Sequence, residues 1–83
     1  MYNIIEVREM KEEILKLLPI TPYMTMTNWL YHHNAEYIND FVEYFVLGED
    51  NEYYEIDIWV DDIFIMARYD IEGTYIRHEE EKR

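Results

Sequence analysis

Two runs of alternating apolar residues on either side of Asp61-Asp62 constrain the fold more than any other feature of the sequence. If the two aspartates form a two-residue hairpin turn, Val60 lies opposite Ile63 and three more apolar pairs follow on the same face. These pairs are Ile58 with Ile65, Ile56 with Ala67, and Tyr54 with Tyr69. A one-residue slip would mix this apolar set with the residues of the other face, so we predict an antiparallel hairpin in this register.

The other face of the predicted hairpin combines aromatic and charged side chains. In the same register, its pairs are Trp59 with Phe64, Asp57 with Met66, Glu55 with Arg68, and Tyr53 with Asp70. Two helices cannot easily cover both faces of a sheet in a chain of 83 residues. We therefore expect an exposed, mainly aromatic patch with a charged rim, which is typical of a protein interface and consists of Tyr53, Trp59, Phe64, Met66 and Tyr75. The alternative is that the N-terminal helix or residues 23–28 cover this face.

A third strand is predicted after Gly73, because glycine permits the backbone conformations that tight turns need. An even-length loop at this point would place Ile76 on the apolar face, and Tyr75 and Arg77 on the other face. The result is a three-stranded antiparallel meander. Residues 23–27 would add a fourth strand if they are extended.

Apolar residues at helical spacing predict a first helix that begins near Asn3 and ends before Pro19. Its apolar stripe consists of Ile4, Val7, Met10, Ile14, Leu17 and Leu18. A second helix is predicted to end at Gly48, which would supply a left-handed stop. The apolar face of this second helix would consist of Ile38, Phe41, Val42, Phe45 and Val46. Its start is open between Thr27 and Asn34, either of which can cap a helix, and we favour a break near Asn34.

These elements predict an α+β fold in which two helices pack on an antiparallel sheet of three strands, or four if residues 23–27 join it. A hydrophobic content of 49% is enough for one packed core, and 83 residues suit a single domain spanning 1–83. We expect the charged residues 79–83 to form a frayed tail.

The charge of the chain restricts its partners. It has 19 acidic and 7 basic side chains, a formal net charge of −12, and no Lys or Arg between Leu17 and Ala67. Such a field repels nucleic acid and anionic membranes and attracts a basic protein surface. The chain has no Cys, which suits a reducing compartment, and its N-terminal residues do not resemble a signal peptide. We expect a cytoplasmic protein.

The acidic residues of the central window are the candidate partner-binding groups. They are Glu36, Asp40 and Glu43 on the predicted second helix, Glu55 and Asp57 on one strand face, and Asp61 and Asp62 in the hairpin turn. Carboxylates at these spacings lie roughly 6–7 Å apart and can imitate a nucleic-acid backbone. Tyr53, Trp59 and Phe64 would fill apolar gaps in the same interface. The alternative is a solvated surface that keeps the protein soluble.

No set of residues in the sequence points to catalysis or metal binding. The chain has no Ser to act as a nucleophile, and its two glycines are too few for a phosphate-binding loop. His32 and His33 are adjacent and would point to different sides of a helix, with no third ligand nearby. We therefore predict neither an enzyme, nor a cofactor, nor a functional metal site.

By its overall profile the chain resembles small phage-encoded inhibitors of bacterial nucleic-acid enzymes. Small size, strong negative charge, absence of Cys, many aromatic residues and two helices beside a short antiparallel sheet are similar to those of anti-CRISPR proteins and uracil-DNA glycosylase inhibitors. The resemblance implies a DNA-mimicking surface that occupies the nucleic-acid channel of a target in the host bacterial cytoplasm.

The profile leaves more than one target open. Because the chain has no Ser, it lacks the Glu-Ser-Ile strand motif that glycosylase inhibitors carry, and a Cas effector is the expected target. The alternatives are an inhibitor of uracil-DNA glycosylase or a restriction enzyme, or an antitoxin-like partner that forms a homodimer through its sheet.

Overall fold

The computed structural model describes residues 4–33, 40–49, 51–60 and 62–82. In chain order, the elements are helix α1 (Ile4–Leu17), a 3-10 turn (Leu18–Ile20), helix α2 (Tyr23–His33), and strands β1 (Asp40–Leu47), β2 (Glu52–Val60), β3 (Ile63–Tyr69) and β4 (Tyr75–Lys82). The four strands form one antiparallel sheet in the order β1-β2-β3-β4. The predicted α+β class is confirmed, with four strands in the sheet.

The pairing of β2 with β3 has the predicted register. Val60 lies opposite Ile63 and Tyr54 lies opposite Tyr69, so the turn between the strands has two residues. Of these two residues, Asp62 is in a turn, and Asp61 lies outside the described residues. Long, uninterrupted alternation on both strands specifies this register because any one-residue slip would bury the charged set.

Helix α1 ends where the sequence predicts. Ile14 and Leu18 are fully buried, and Met10 and Leu17 pack against the core beside them. The chain continues through a 3-10 turn that contains Pro19, since proline cannot donate the backbone hydrogen bond that a longer helix would need.

The prediction of an extended segment at residues 23–27 is wrong, because these residues begin helix α2. Tyr23, Met26, Thr27 and Leu30 are its buried residues. They occur at i, i+3, i+4 and i+7, which is the spacing of one helix face. The fourth strand of the sheet is therefore not this segment.

The prediction of a second helix that ends at Gly48 is also wrong, because residues 40–47 form strand β1, which pairs along its length with β2. Gly48 lies in the β1–β2 hairpin, where its N–H donates a 3.0 Å hydrogen bond to the carbonyl oxygen of Asn51. Gly73 is the described glycine with a positive φ, so Gly48 is not a left-handed helix stop. Glu36 and Ile38 lie outside the described residues.

The C-terminal segment differs from the predicted frayed tail, since residues up to Lys82 belong to β4 and pair with β3. A register shift between Arg68 and Tyr69 reverses the expected orientation of the first residues of β4. Tyr75 lies opposite Tyr69 and packs against the core, whereas Ile76 is 51% exposed. The predicted positions of Tyr75 and Ile76 are therefore exchanged.

Both helices pack on one face of the sheet, which we call the core face. The buried helix residues Ile14, Leu18, Met26 and Leu30 form one cluster with the sheet residues Phe41, Ile56, Ile58, Val60, Ile65, Ala67 and Tyr69. All the sheet residues of this cluster share one side of the pleat, because they are paired with one another or lie two residues apart.

Candidate functional site

The opposite side of the sheet, which we call the outer face, is the candidate site. The buried apolar residues of α1 and α2 whose burial the structure describes, Ile14, Met26 and Leu30 among them, belong to the cluster on the core face. Its members by strand register are Asp40, Val42, Tyr44 and Val46 on β1; Tyr53, Glu55, Asp57 and Trp59 on β2; Phe64, Met66 and Arg68 on β3; and Arg77, Glu79 and Glu81 on β4. The face thus carries aromatic residues beside carboxylates, as the hairpin register predicts.

The aromatic residues of the outer face differ in exposure. The rings of Trp59 and Phe64 stack with their centroids 4.7 Å apart. Phe64 is 8% exposed, so the expectation that it is displayed to solvent is wrong. Trp59 and Tyr53 are half-buried and keep surface that another molecule can contact. A large ring that is held in place and partly exposed is the usual anchor of a protein interface.

Arg68 lies between an aromatic ring and a carboxylate. Its guanidinium carbon is 4.1 Å from the centroid of the Tyr53 ring, and its Nη2 is 3.7 Å from Oε1 of Glu55. The cation–π contact and the ion pair hold the long side chain against the sheet. Arg68 thereby reduces the negative potential around Glu55.

Asp57 is a nearly buried carboxyl group at the centre of the outer face. It is 8% exposed, and among the described residues its Oδ1 has no hydrogen-bond partner. Burial, followed by a hydrogen bond with Glu55 and repulsion from the Glu55 charge, raises the pKa of Asp57 to about 7. These causes all disfavour the ionised carboxylate. Near neutral pH Asp57 is therefore only partly ionised.

Glu43 lies on the core face, because it pairs with Ile56. Its two carboxylate oxygens accept hydrogen bonds from the hydroxyls of Tyr23, at 3.0 Å, and Tyr31, at 2.6 Å. Burial, and then the hydrogen bond to Glu43, raises the pKa of Tyr23. The hydrogen bond to Glu43 raises the pKa of Tyr31. Through these two hydrogen bonds, Glu43 connects helix α2 to strand β1.

The other predicted acidic residues lie in separate places. Asp40 begins β1 on the outer face, opposite Trp59, and its Oδ1 accepts a 2.8 Å hydrogen bond from the N–H of Phe41. Oδ2 of Asp62 is 3.7 Å from Nζ of Lys82. Glu36 and Asp61 lie outside the described residues. The structure thus brings Asp40, Glu55 and Asp57 onto the outer face and places Glu43 on the opposite one.

Sequence reasoning missed the contribution of β4 to this face. Glu79 lies opposite Met66 and Glu81 lies opposite Phe64, and both carboxylates are exposed. The signal was present in the alternation of Arg77, Glu79 and Glu81, which has the two-residue period of a strand. The charge of this segment favoured a tail interpretation because charged termini are commonly frayed.

Among the residues that the structure describes, no group of three or more His, Cys, Asp or Glu is arranged to hold a metal ion. In the same part of the chain, no helix has both the length and the apolar character needed to cross a membrane. No family model, curated protein or solved structure matches the chain.

Proposed function

We propose that the protein binds a basic surface of another protein through its outer face and thereby blocks a nucleic-acid-binding site. The observation that carries this proposal is the row Tyr53, Glu55, Asp57 and Trp59, in which two carboxyls lie between two half-buried aromatic residues on one strand face. The acids would guide a basic partner to the surface, and the aromatic rings would supply contact area once it is bound.

A second row of acidic residues on the outer face supports the proposal that this face binds the partner. Glu79 and Glu81 lie two residues apart on the outer face of β4, as Glu55 and Asp57 do on β2. Alternate residues of a strand are about 7 Å apart, so each row repeats negative charge at a spacing that can imitate nucleic-acid phosphates. Because Asp57 is partly protonated near neutral pH, the exposed β4 row would supply much of the long-range attraction.

The most specific form of the proposal is an anti-CRISPR-type inhibitor that occupies the nucleic-acid channel of a Cas effector. The net charge of −12 and the small α+β fold support this form of the proposal. An inhibitor of another DNA enzyme, such as uracil-DNA glycosylase or a restriction enzyme, would use the same surface in the same way.

The test is capture from a bacterial lysate that contains Cas effectors, with the immobilised protein as bait and duplex DNA as competitor. A nuclease or glycosylase that is retained and then released by DNA supports the proposal. The purified target would next be used to compare association rates for Glu79→Gln/Glu81→Gln and for Glu9→Gln/Glu13→Gln, which removes the same charge from exposed positions of α1. At low salt the β4 variant should bind about tenfold more slowly than the control. Equal rates for the two variants would contradict the assignment to the outer face.

A further inference from the structure

The two edges of the sheet are chemically different. Strand β4 ends in a run of exposed charged residues, Glu79, Glu80, Glu81 and Lys82. Strand β1 exposes large apolar residues on both of its faces, namely Val42, Tyr44, Phe45 and Leu47 at 36–72% exposure. Charged side chains protect an edge strand from pairing with another chain, whereas an apolar edge leaves its backbone groups available. By this criterion β4 is protected and β1 is not.

The acidic residues of β1 do little to protect its edge. Asp40 lies at the start of the strand, and Oδ1 accepts a hydrogen bond from the neighbouring backbone. The carboxylate of Glu43 is directed to helix α2, where the hydroxyls of Tyr23 and Tyr31 hold both of its oxygens. A second strand that approached β1 would therefore meet a long apolar segment without a free charge in its middle.

The sequence of β1 is self-complementary when two copies run antiparallel with Tyr44 opposite Tyr44. This register pairs Val42 with Val46 on the outer face and Phe41 with Leu47 on the core face. Glu43 lies opposite Phe45, so no carboxylate faces another. Apolar and aromatic cross-strand pairs of this kind stabilise an antiparallel sheet. The same symmetric arrangement of β4 about Glu79 would place two glutamates opposite each other.

We propose that a second copy of the chain pairs with β1 in this register and forms a two-fold symmetric homodimer. The symmetry axis passes through Tyr44, perpendicular to the sheet, and the two four-stranded sheets join into one continuous sheet. The outer faces of both copies then lie on the same side. The dimer presents two sets of acidic and aromatic residues in one surface.

Added salt should change the affinity of the dimer and the affinity for a basic partner in opposite directions. Two chains that each carry a net charge of −12 repel each other, and added salt screens this repulsion. Higher ionic strength should therefore tighten the dimer. The same change weakens the attraction between the acidic outer face and a basic surface. Dimer formation through β1 does not require the proposed function, so either can be absent without the other.

The test is sedimentation equilibrium of the full chain over a range of concentrations and salt. The wild type should show a monomer–dimer equilibrium that shifts to dimer with added salt. Tyr44→Lys places two ammonium groups across the axis and should raise the dissociation constant about tenfold or more. Ile76→Lys adds the same charge at an exposed residue of the opposite edge strand, and it should leave the dimer intact. Circular dichroism would check that both variants are folded.

A mixing experiment tests the register itself. Tyr44→Lys and Tyr44→Glu should each be impaired alone, and an equimolar mixture should associate because opposite charges then meet at the axis. A wild type that is monomeric at all concentrations would overturn the homodimer. Failure of the mixture to associate would overturn the pairing of Tyr44 with Tyr44, as would loss of the dimer in Ile76→Lys but not in Tyr44→Lys.

Discussion

The backbone N–H of Tyr23 donates a 2.8 Å hydrogen bond to the carbonyl oxygen of Gly73. This bond joins the first residue of α2 to the turn between β3 and β4. The Tyr23 ring stacks on Tyr54, with the centroids 4.5 Å apart, and meets the edge of Tyr69. The β3–β4 turn therefore holds the first residue of helix α2 in a fixed position on the core face of the sheet.

Replacement of Gly73 should weaken this junction. Gly73 has a φ of 90°, which side-chain-bearing residues rarely adopt, and an added Cβ would lie 3.6 Å from Cβ of Tyr23. The space is sufficient, so the cost of Gly73→Ala is mainly conformational, about 1–2 kcal/mol in the free energy of unfolding. Urea denaturation would measure it. Gly73→Asn should lose less than Gly73→Ala, because asparagine tolerates positive φ better than alanine. Equal losses for the two variants would contradict this explanation.

The raised pKa of Asp57 predicts that stability falls as the pH rises. The unfolded carboxyl ionises near its ordinary pKa of 3.8, whereas the folded carboxyl stays protonated until about 7. Between these pH values the folded state binds more protons than the unfolded state, so the free energy of unfolding contributed by this group decreases with increasing pH. Asp57→Asn should flatten this part of the pH profile in denaturant titrations. Glu9→Gln, at an exposed position of α1, is the charge-matched control, and an equal change of slope in both variants would contradict the assignment to Asp57.

Loss of the Glu43 carboxylate should loosen α2 and change the titration of Tyr31. Glu43→Ala removes the acceptor of two tyrosine hydroxyls and should cost about 1–3 kcal/mol of unfolding free energy. Glu43→Gln removes the charge and keeps an acceptor, so it should cost less. In both variants the pKa of Tyr31 should fall towards its ordinary value, because Glu43 is the main cause of its elevation. Nuclear magnetic resonance titration of the Tyr31 ring would detect this change, and an unchanged pKa would exclude the hydrogen bond.

Removal of Arg68 should accelerate association with a basic partner. Its guanidinium lies 3.7 Å from Glu55 and offsets part of the negative potential of the outer face. Arg68 and Glu55 are half-buried with their charged atoms 3.7 Å apart, and glutamine keeps part of the side chain that packs on the sheet, so Arg68→Gln should remain folded. Stopped-flow measurements at low salt should show association several times faster than that of the wild type. Arg8→Gln removes the same charge from α1 and should have a smaller effect. A slower rate for Arg68→Gln would mean that Arg68 contacts the partner directly.

The hairpin of β2 and β3 could be predicted residue by residue because its apolar residues alternate without interruption over both strands. The segment 41–46 could not be assigned by period alone. Phe41, Val42, Phe45 and Val46 satisfy the spacing of a helix face and also fill both faces of a strand. Its content of β-branched and aromatic residues favours a strand, and this propensity is the sequence signal that agrees with the structure.

Residues of the candidate site could be placed from the sequence only where the strand that carries them could be predicted. The sequence predicts strand β2 in its observed register, and alternate residues of a strand lie on one face. The shared face of Tyr53, Glu55, Asp57 and Trp59 could therefore be predicted. A helix in this segment would place Glu43 on the same acidic surface, and only the packing of α2 shows that its carboxylate faces two tyrosines. Likewise, no sequence pattern reveals that Asp57 is buried, since neighbours on β1 and β3 create that environment.

The strand order has a consequence for how the chain acquires its structure. Every strand pairs with the strand next to it in sequence, so each hairpin closes a short loop, and such topologies fold fast for their size. The two helices are synthesised first, but the apolar surface that they cover belongs to strands that follow them. During synthesis the helices can therefore bury their apolar residues against the sheet only after β2 and β3 have left the ribosome.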